Sequence, residues 1–232
     1  MKHKLLSFLI LTMMICSFSM GAAAADAPKP WDGSIDTSWY NGETTTFNLD
    51  TAEKLAGLAA IINDEVKGIK AEDFSGKTIN ITADLDLGGK QNQDGTWDEK
   101  AGKTWTAIGY DMTEFCGTLD GKMHKITNLY IETDKGYQGF VGSLGGLGVI
   151  KNVKIESGYI HSTRGFGSLG AIVSTVNSKQ AAIYNCTNKA NVTGVTSGGA
   201  GGIAGVSSGS MQYCQNYGII DNKGDVGGIV GK

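Results

Sequence analysis

The feature that most constrains this chain is a repeat that keeps its order while its length varies. Gly139-Phe140-Val141-Gly142, Gly202-Ile203-Ala204-Gly205 and Gly228-Ile229-Val230-Gly231 are copies of one unit, and Ala171-Ile172-Val173-Ser174 is a degenerate copy. A second unit alternates with it: Ile150-Lys151-Asn152-Val153, Ile183-Tyr184-Asn185-Cys186 and Met211-Gln212-Tyr213-Cys214, with Ile126-Thr127-Asn128-Leu129 as an earlier instance. The last residues of this second unit stand at 129, 153, 186 and 214, at spacings of 24, 33 and 28. Short strands between glycine corners at such intervals predict a solenoid, because one coil cannot bury its inward side chains alone. Coils stacked about 4.8 Å apart form a parallel ladder with like side chains in columns. This reading places Leu129, Val153, Cys186 and Cys214 in one inward column and gives glycine the positive φ angles of the corners. An antiparallel all-β sandwich has no reason to repeat the Asn-apolar pair at corresponding places.

Composition divides the chain in the middle. Of 35 glycines, 13 fall in residues 1–135 and 22 in the shorter stretch 136–232, while all four tryptophans precede the break. There is no three-residue glycine period, which excludes collagen. With 41% hydrophobic and 19% charged residues the chain is neither disordered nor a coiled coil. One helix is predicted from residue 51, with Asp50 as its cap and Glu53 completing a capping box; Leu55, Leu58, Ala59 and Ile62 recur at helical spacing. Alternating strands are predicted over 78–87, 105–108, 115–119 and 126–131, with a polar loop at 88–103.

The first residues form a separate segment. Lys2 and Lys4 precede an apolar stretch, and small residues at 21–25 precede Asp26. This is the pattern of a cleavable export leader over residues 1–25, too short in its apolar part to span a bilayer comfortably. The remaining chain carries 18 basic and 23 acidic residues and three cysteines, Cys116, Cys186 and Cys214. An odd number of cysteines in an exported chain is not a disulfide framework. Cys186 and Cys214 are expected as reduced neighbours on successive coils.

The Gly-apolar-apolar-Gly units followed by strands such as Asn185-Cys186-Thr187-Asn188 resemble GLUG-motif repeats of bacterial surface and secreted proteins. Residues 51–62, Asp73-Phe74-Ser75-Gly76-Lys77 and Leu85-Asp86-Leu87-Gly88 resemble the leader that precedes such repeats. Trp105-Thr106-Ala107-Ile108-Gly109, Phe115-Cys116-Gly117-Thr118-Leu119-Asp120-Gly121 and His124-Lys125-Ile126-Thr127-Asn128-Leu129 continue the pattern. The resemblance covers most of 45–232. It implies an all-β fold, a right-handed parallel β-helix with one N-terminal capping α-helix, of the kind found in adhesin-like proteins and upstream of the catalytic part of IgA-cleaving metallopeptidases. The organisation expected is a leader at 1–25, an extension at 26–48, helix-capped first coils at 49–135 and repeat coils at 136–232.

Little in the sequence specifies chemistry. A zinc peptidase needs two histidines one helical turn apart, whereas His124 and His161 are 37 residues apart. There is no Gly-x-Ser-x-Gly elbow and no P-loop. A net charge of −3, with Lys151, Lys154 and Arg164 dispersed, gives no nucleic-acid footprint. The rival reading is a carbohydrate-active β-helix enzyme, a polysaccharide lyase or hydrolase, which needs clustered carboxylates. After residue 135 the acids are Glu156, Asp221 and Asp225, and the last two bracket a turn without an evident basic partner. Asp84, Asp86 and Asp120 sit in strand or turn settings. The oxygen-rich residues 92–99 lack EF-hand spacing and read as a solvated loop, with calcium as the alternative. Trp97 within it is a candidate for stacking on a sugar, and Trp105 reads as core. No catalytic, cofactor or metal residue is assigned. The expectation is an exported, non-enzymatic module at the bacterial surface that binds a host, matrix or glycan ligand through unassigned residues. Because the last unit stops before its second strand, the array is expected to continue in a longer protein or to pair with another molecule.

Overall fold

The computed structural model describes residues 27–110 and 113–232, so the expected leader lies outside the described residues. The chain winds into a parallel β-solenoid. Thr46–Leu49, Thr78–Ile81, Thr118–Asp120, Val149–Lys151, Ala182–Tyr184 and Ser210–Gln212 stack in chain order as a six-stranded sheet, the first face. A second face carries Leu85–Asp86, Lys125–Thr127, Lys154–Ile155, Thr187–Asn188 and Gln215–Asn216. A third carries Leu129–Thr133, Gly158–Ser162, Asn191–Gly194 and Ile220–Asn222. Two three-stranded sheets, beginning at Val141–Leu144 and Leu169–Gly170, complete the later turns. Every strand pairing within these sheets is parallel.

The register aligns like side chains in columns. On the first face Phe47, Ile79, Leu119, Ile150 and Ile183 are buried one above another, and half-buried Met211 ends the column. On the third, Ile131, Ile160 and Val192 do the same. The second-face column runs Leu85, Ile126, Ile155 and then Asn188, a buried amide. Asn188 is satisfied where it stands: Nδ2 donates to the Ala190 carbonyl and to Asn216 Oδ1, both at 2.8 Å, and Oδ1 accepts the Ala190 N–H. A buried polar group left without partners would cost about 1–3 kcal/mol, so this ladder keeps the column intact.

Two expectations about the repeat are corrected. Leu129 pairs with Gly158 on the third face, so it is not in the column of Val153, Cys186 and Cys214. The earlier partner of Ile150 is Leu119, and the spacings on this face become 31, 33 and 28 from Leu119 through Ile150 and Ile183 to Met211. Asn128 and Asn152 occupy different corners with the same left-handed backbone, φ 57° and 55°, so the two units look alike in the sequence. Glycine does not make these corners. Asn152, Asn185 and Tyr213 do, with φ of 53–56°, a region that a short polar side chain such as Asn tolerates. Of the glycines between residues 136 and 232, only Gly146 and Gly167 have positive φ. What most glycines of the array supply is the absence of Cβ: a Cβ at Gly139 would lie 2.2 Å from the Gly170 carbonyl oxygen, and one at Gly142 2.3 Å from that of Gly109. Neighbouring turns approach backbone to backbone there.

The unit row itself is in register, Val141 with Val173, Val173 with Ala204 and Ala204 with Val230, and it begins one turn earlier at Ile108. The strands predicted over 78–87 and 126–131 are each divided in two, the second at Asn128. Trp105 is core at 1% exposure.

The helix, Ala52–Ile62, interrupts the first turn. Its cap is Thr51 rather than Asp50: Thr51 has extended backbone and its hydroxyl accepts from the Lys54 N–H at 3.3 Å, while Asp50 pairs with Lys54 Nζ at 2.8 Å. Nine of its eleven residues are buried, so the helix is covered on its outer side as well. The preceding segment supplies that cover. Asp36 N–H donates to the Glu53 carbonyl, Trp39 Nε1 to the carbonyls of Asp36 and Lys54, and a Cβ at Gly57 would meet the Asp36 oxygen at 2.1 Å. No helix among the described residues is long and apolar enough to cross a membrane.

Candidate functional site, an aromatic groove on the third face

On the third face the inward positions are filled by packing, and the outward positions form two rows. One row is Tyr130, Tyr159 and Asn191; the other is Glu132, His161, Thr193 and Asp221. The loop at 88–103 folds over the start of these rows. Gly89 N–H donates to the Asn128 carbonyl and Trp105 N–H to that of Tyr130, fixing both ends of the loop. Between them Gln91 bridges Trp97 in antiparallel fashion, and Asn92 N–H donates to the Thr96 carbonyl at 2.7 Å.

This hairpin lays Trp97 against the face. Its ring lies 5.8 Å from that of Tyr130 and 6.4 Å from that of Tyr159, both at 18° between planes. Tyr130 and Tyr159 are 6.3 Å apart at 18°, and Tyr159 and His161 are 5.9 Å apart at 8°. Rings from one loop and two turns therefore stand nearly parallel, at distances where aromatic pairs attract. The row then stops, because the register puts the short side chain of Asn191 beside Tyr159 in the next turn. A groove of about 470 Å³ occupies that place, bordered by Trp97, Tyr159, Glu99, Glu132, Glu156 and Lys189.

The groove is negative and unevenly compensated. Glu156 is held below the usual carboxylate range by Lys154 and Lys189, whose ammonium groups reach it at 2.7 and 2.6 Å. Glu132 goes the other way. Burial raises it above its ordinary 4.5; His161, 3.8 Å away, opposes this, and Glu99 adds to it. His161 Nδ1 is 2.7 Å from Thr193 Oγ1. Tyr130 is 1% exposed and its hydroxyl has no hydrogen-bond partner; burial first, then Glu132 and Glu99, push it up to about 12.

Of the residues singled out from sequence, Trp97, His161 and Asp221 fall on this face, Glu156 and Glu99 of the 92–99 loop border its groove, and His124, Asp84, Asp86, Asp120 and Asp225 lie elsewhere. Trp97 is half-buried rather than exposed. His124 pairs with Asp84 at 3.1 Å beside the second face. Asp221 and Asp225 are exposed on the last turn, and Asp225 does have a basic partner, Lys232 at 3.8 Å. In the loop at 92–99, Asp94 accepts the Thr96 N–H and hydroxyl, and Asp98 accepts the N–H groups of Lys100 and Ala101. Among the described residues no group of three or more His, Cys, Asp or Glu is placed to hold a metal ion. Cys186 is buried and Cys214 only half-buried beside it on the next turn; both are free thiols, as is buried Cys116, whose thiol burial pushes up to about 11. Sequence reasoning missed Tyr130, Tyr159, Glu132 and Lys189. Tyr130 and Tyr159 become partners only when Leu129 is aligned with Gly158.

No family model and no solved structure matches the chain. Over 165 residues it is 29% identical to halomucin of Haloquadratum walsbyi (strain DSM 16790 / HBSQ001). That match covers 70% of this chain and 2% of halomucin.

Proposed function

We propose that the chain is an exported surface module that holds an extracellular ligand, a glycan in the first place, against its third face and performs no chemistry on it. The leader pattern at 1–25, the resemblance to GLUG-motif repeats and the likeness to halomucin are all compatible with a surface or secreted protein. The observation that carries the reading is the bank of near-parallel rings, Trp97, Tyr130, Tyr159 and His161, ending at an open groove. Nothing in the stacking of the turns requires large rings at outward positions, since the inward columns already fill the core.

A glycan and protein array with the secreted chain tests this. Ligands retained by the parent are expected to bind about five- to tenfold more weakly to Tyr159→Ala and Trp97→Ala, corresponding to about 1 kcal/mol for each stacked ring. Binding that neither substitution alters would move the site elsewhere. The enzymatic alternative is checked by release of reducing ends or unsaturated products from polysaccharides. Activity abolished by Asp221→Ala or Asp225→Ala would overturn the binding reading.

A further inference from the structure

The reading of the third face as a glycan-binding surface leaves the class of glycan open, and the charges around the groove narrow it. Glu99, Glu132 and Glu156 border the groove, against Lys189 alone among its lysines. Glu156 is already paired with two lysines; Glu132 has only the His161 imidazole, 3.8 Å away, and Glu99 has no ion-pair partner among the described residues, so the uncompensated charge lies with Glu99 and, while His161 is neutral, with Glu132. The Tyr130 hydroxyl, buried at the edge of the same groove, has no hydrogen-bond partner and offers an acceptor in the same negative surroundings. An acidic polysaccharide would add charge of the wrong sign, whereas a cation would relieve it.

We propose that the groove takes an amino sugar: the pyranose ring continues the ring stack beside Tyr159, where Asn191 ends it, and the ammonium group lies by Glu132 and Glu99. Two observations favour a sugar over a lysine-bearing peptide. The rings are nearly parallel, at 18° or less, and so present flat faces instead of a box that encloses an ammonium. Asn191 accepts the Ile219 N–H through Oδ1, and its Nδ2 has no partner among the described residues, leaving a donor for a sugar hydroxyl. An ammonium beside the aromatic bank also gains cation–π attraction.

The test is calorimetric titration of the protein secreted from the full chain, in mildly acidic buffer, with β-1,4-linked hexamers of glucosamine, N-acetylglucosamine and glucose, and with polygalacturonate and hexalysine. The glucosamine hexamer is expected to bind about tenfold more tightly than the other two hexamers. Glu132→Gln, a near-isosteric change, should bring the three close to parity with the fold unchanged by circular dichroism. Equal affinity for the three hexamers, tighter binding of polygalacturonate or hexalysine, or an unchanged preference in Glu132→Gln overturns the proposal. If no hexamer binds while an array ligand still depends on Trp97 and Tyr159, the amino-sugar assignment falls and the binding reading stands. If nothing depends on those rings, both fall.

Discussion

Gly139, Gly202 and Gly228 open three copies of the same unit, yet they stand in different surroundings. A Cβ at Gly139 would meet the Gly170 carbonyl oxygen at 2.2 Å and one at Gly202 that of Gly228 at 2.4 Å, while one at Gly228 meets nothing within 4 Å. Gly139→Ala should therefore destabilise by about 1–3 kcal/mol, as overpacking does. Gly228→Ala should be neutral or add up to about 1 kcal/mol by restricting the unfolded chain; parallel urea titrations check both. A sequence displays glycine without displaying whether φ or the missing Cβ is the reason, and for this array the usual reason is the second. At Glu132 the sign is set by burial. Its folded-state pKa lies above 4.5, so stability is fully present below that value and is lost as pH rises through the folded pKa. Glu132→Gln is expected to melt above the parent at neutral pH and level with it well below pH 4.5. Asp120 runs oppositely. Burial alone would raise it, but Asn152 Nδ2 at 2.8 Å and the backbone and ammonium of Lys122 hold it below 3.8. Its stabilisation is present above 3.8 and lost as pH falls further, so Asp120→Asn should flatten the acid limb of a pH–stability profile.

Among the elements, the helix was legible from its period because Leu55, Leu58, Ala59 and Ile62 all turn out buried. Its cap was not, since Asp50 and Thr51 are both capping residues and only the extended backbone at Thr51 separates them. Thr51→Ala should cost about 1 kcal/mol by thermal melts. Asp50→Ala, which removes a largely exposed pair with Lys54, should cost only about 0.3–0.5 kcal/mol. Strands were legible as alternation, but their breaks at left-handed asparagines were not. That gap hid the site. Trp97 was visible as a lone tryptophan in a polar loop, whereas Tyr130 and Tyr159 sit 29 residues apart in sequence and become neighbours only through the parallel register. A ligand face on a solenoid is a property of register, and a one-corner misalignment removes it from view.

At the scale of the whole molecule, the two ends of the stack differ. The helix and the segment over it cover the first turn, whereas the last described turn shows Tyr213 at 82% exposure and Tyr217 and Ile219 at 67%. Along the unit row, backbone N–H groups donate toward the following turn: Val141 to Ile172, Val173 to Ile203, Ala204 to Ile229. Ile229 accepts from Ile203 and Ala204 through its carbonyl, and its own N–H has no partner among the described residues. It points the way a further strand would lie. Such an edge is a template for strand addition; a polypeptide that stops at Lys232 is expected to self-associate through it, whereas further turns of a longer protein would cover it. Proline at 229 deletes that donor and leaves the carbonyl in place, so it should weaken association while the solenoid keeps its circular dichroism. Light scattering over a concentration series compares parent and Ile229→Pro, and hydrogen exchange reports on the last turn. A parent that stays monomeric at high concentration with its last turn already protected would refute the expectation. Association unaffected by the proline would place the contact on another surface.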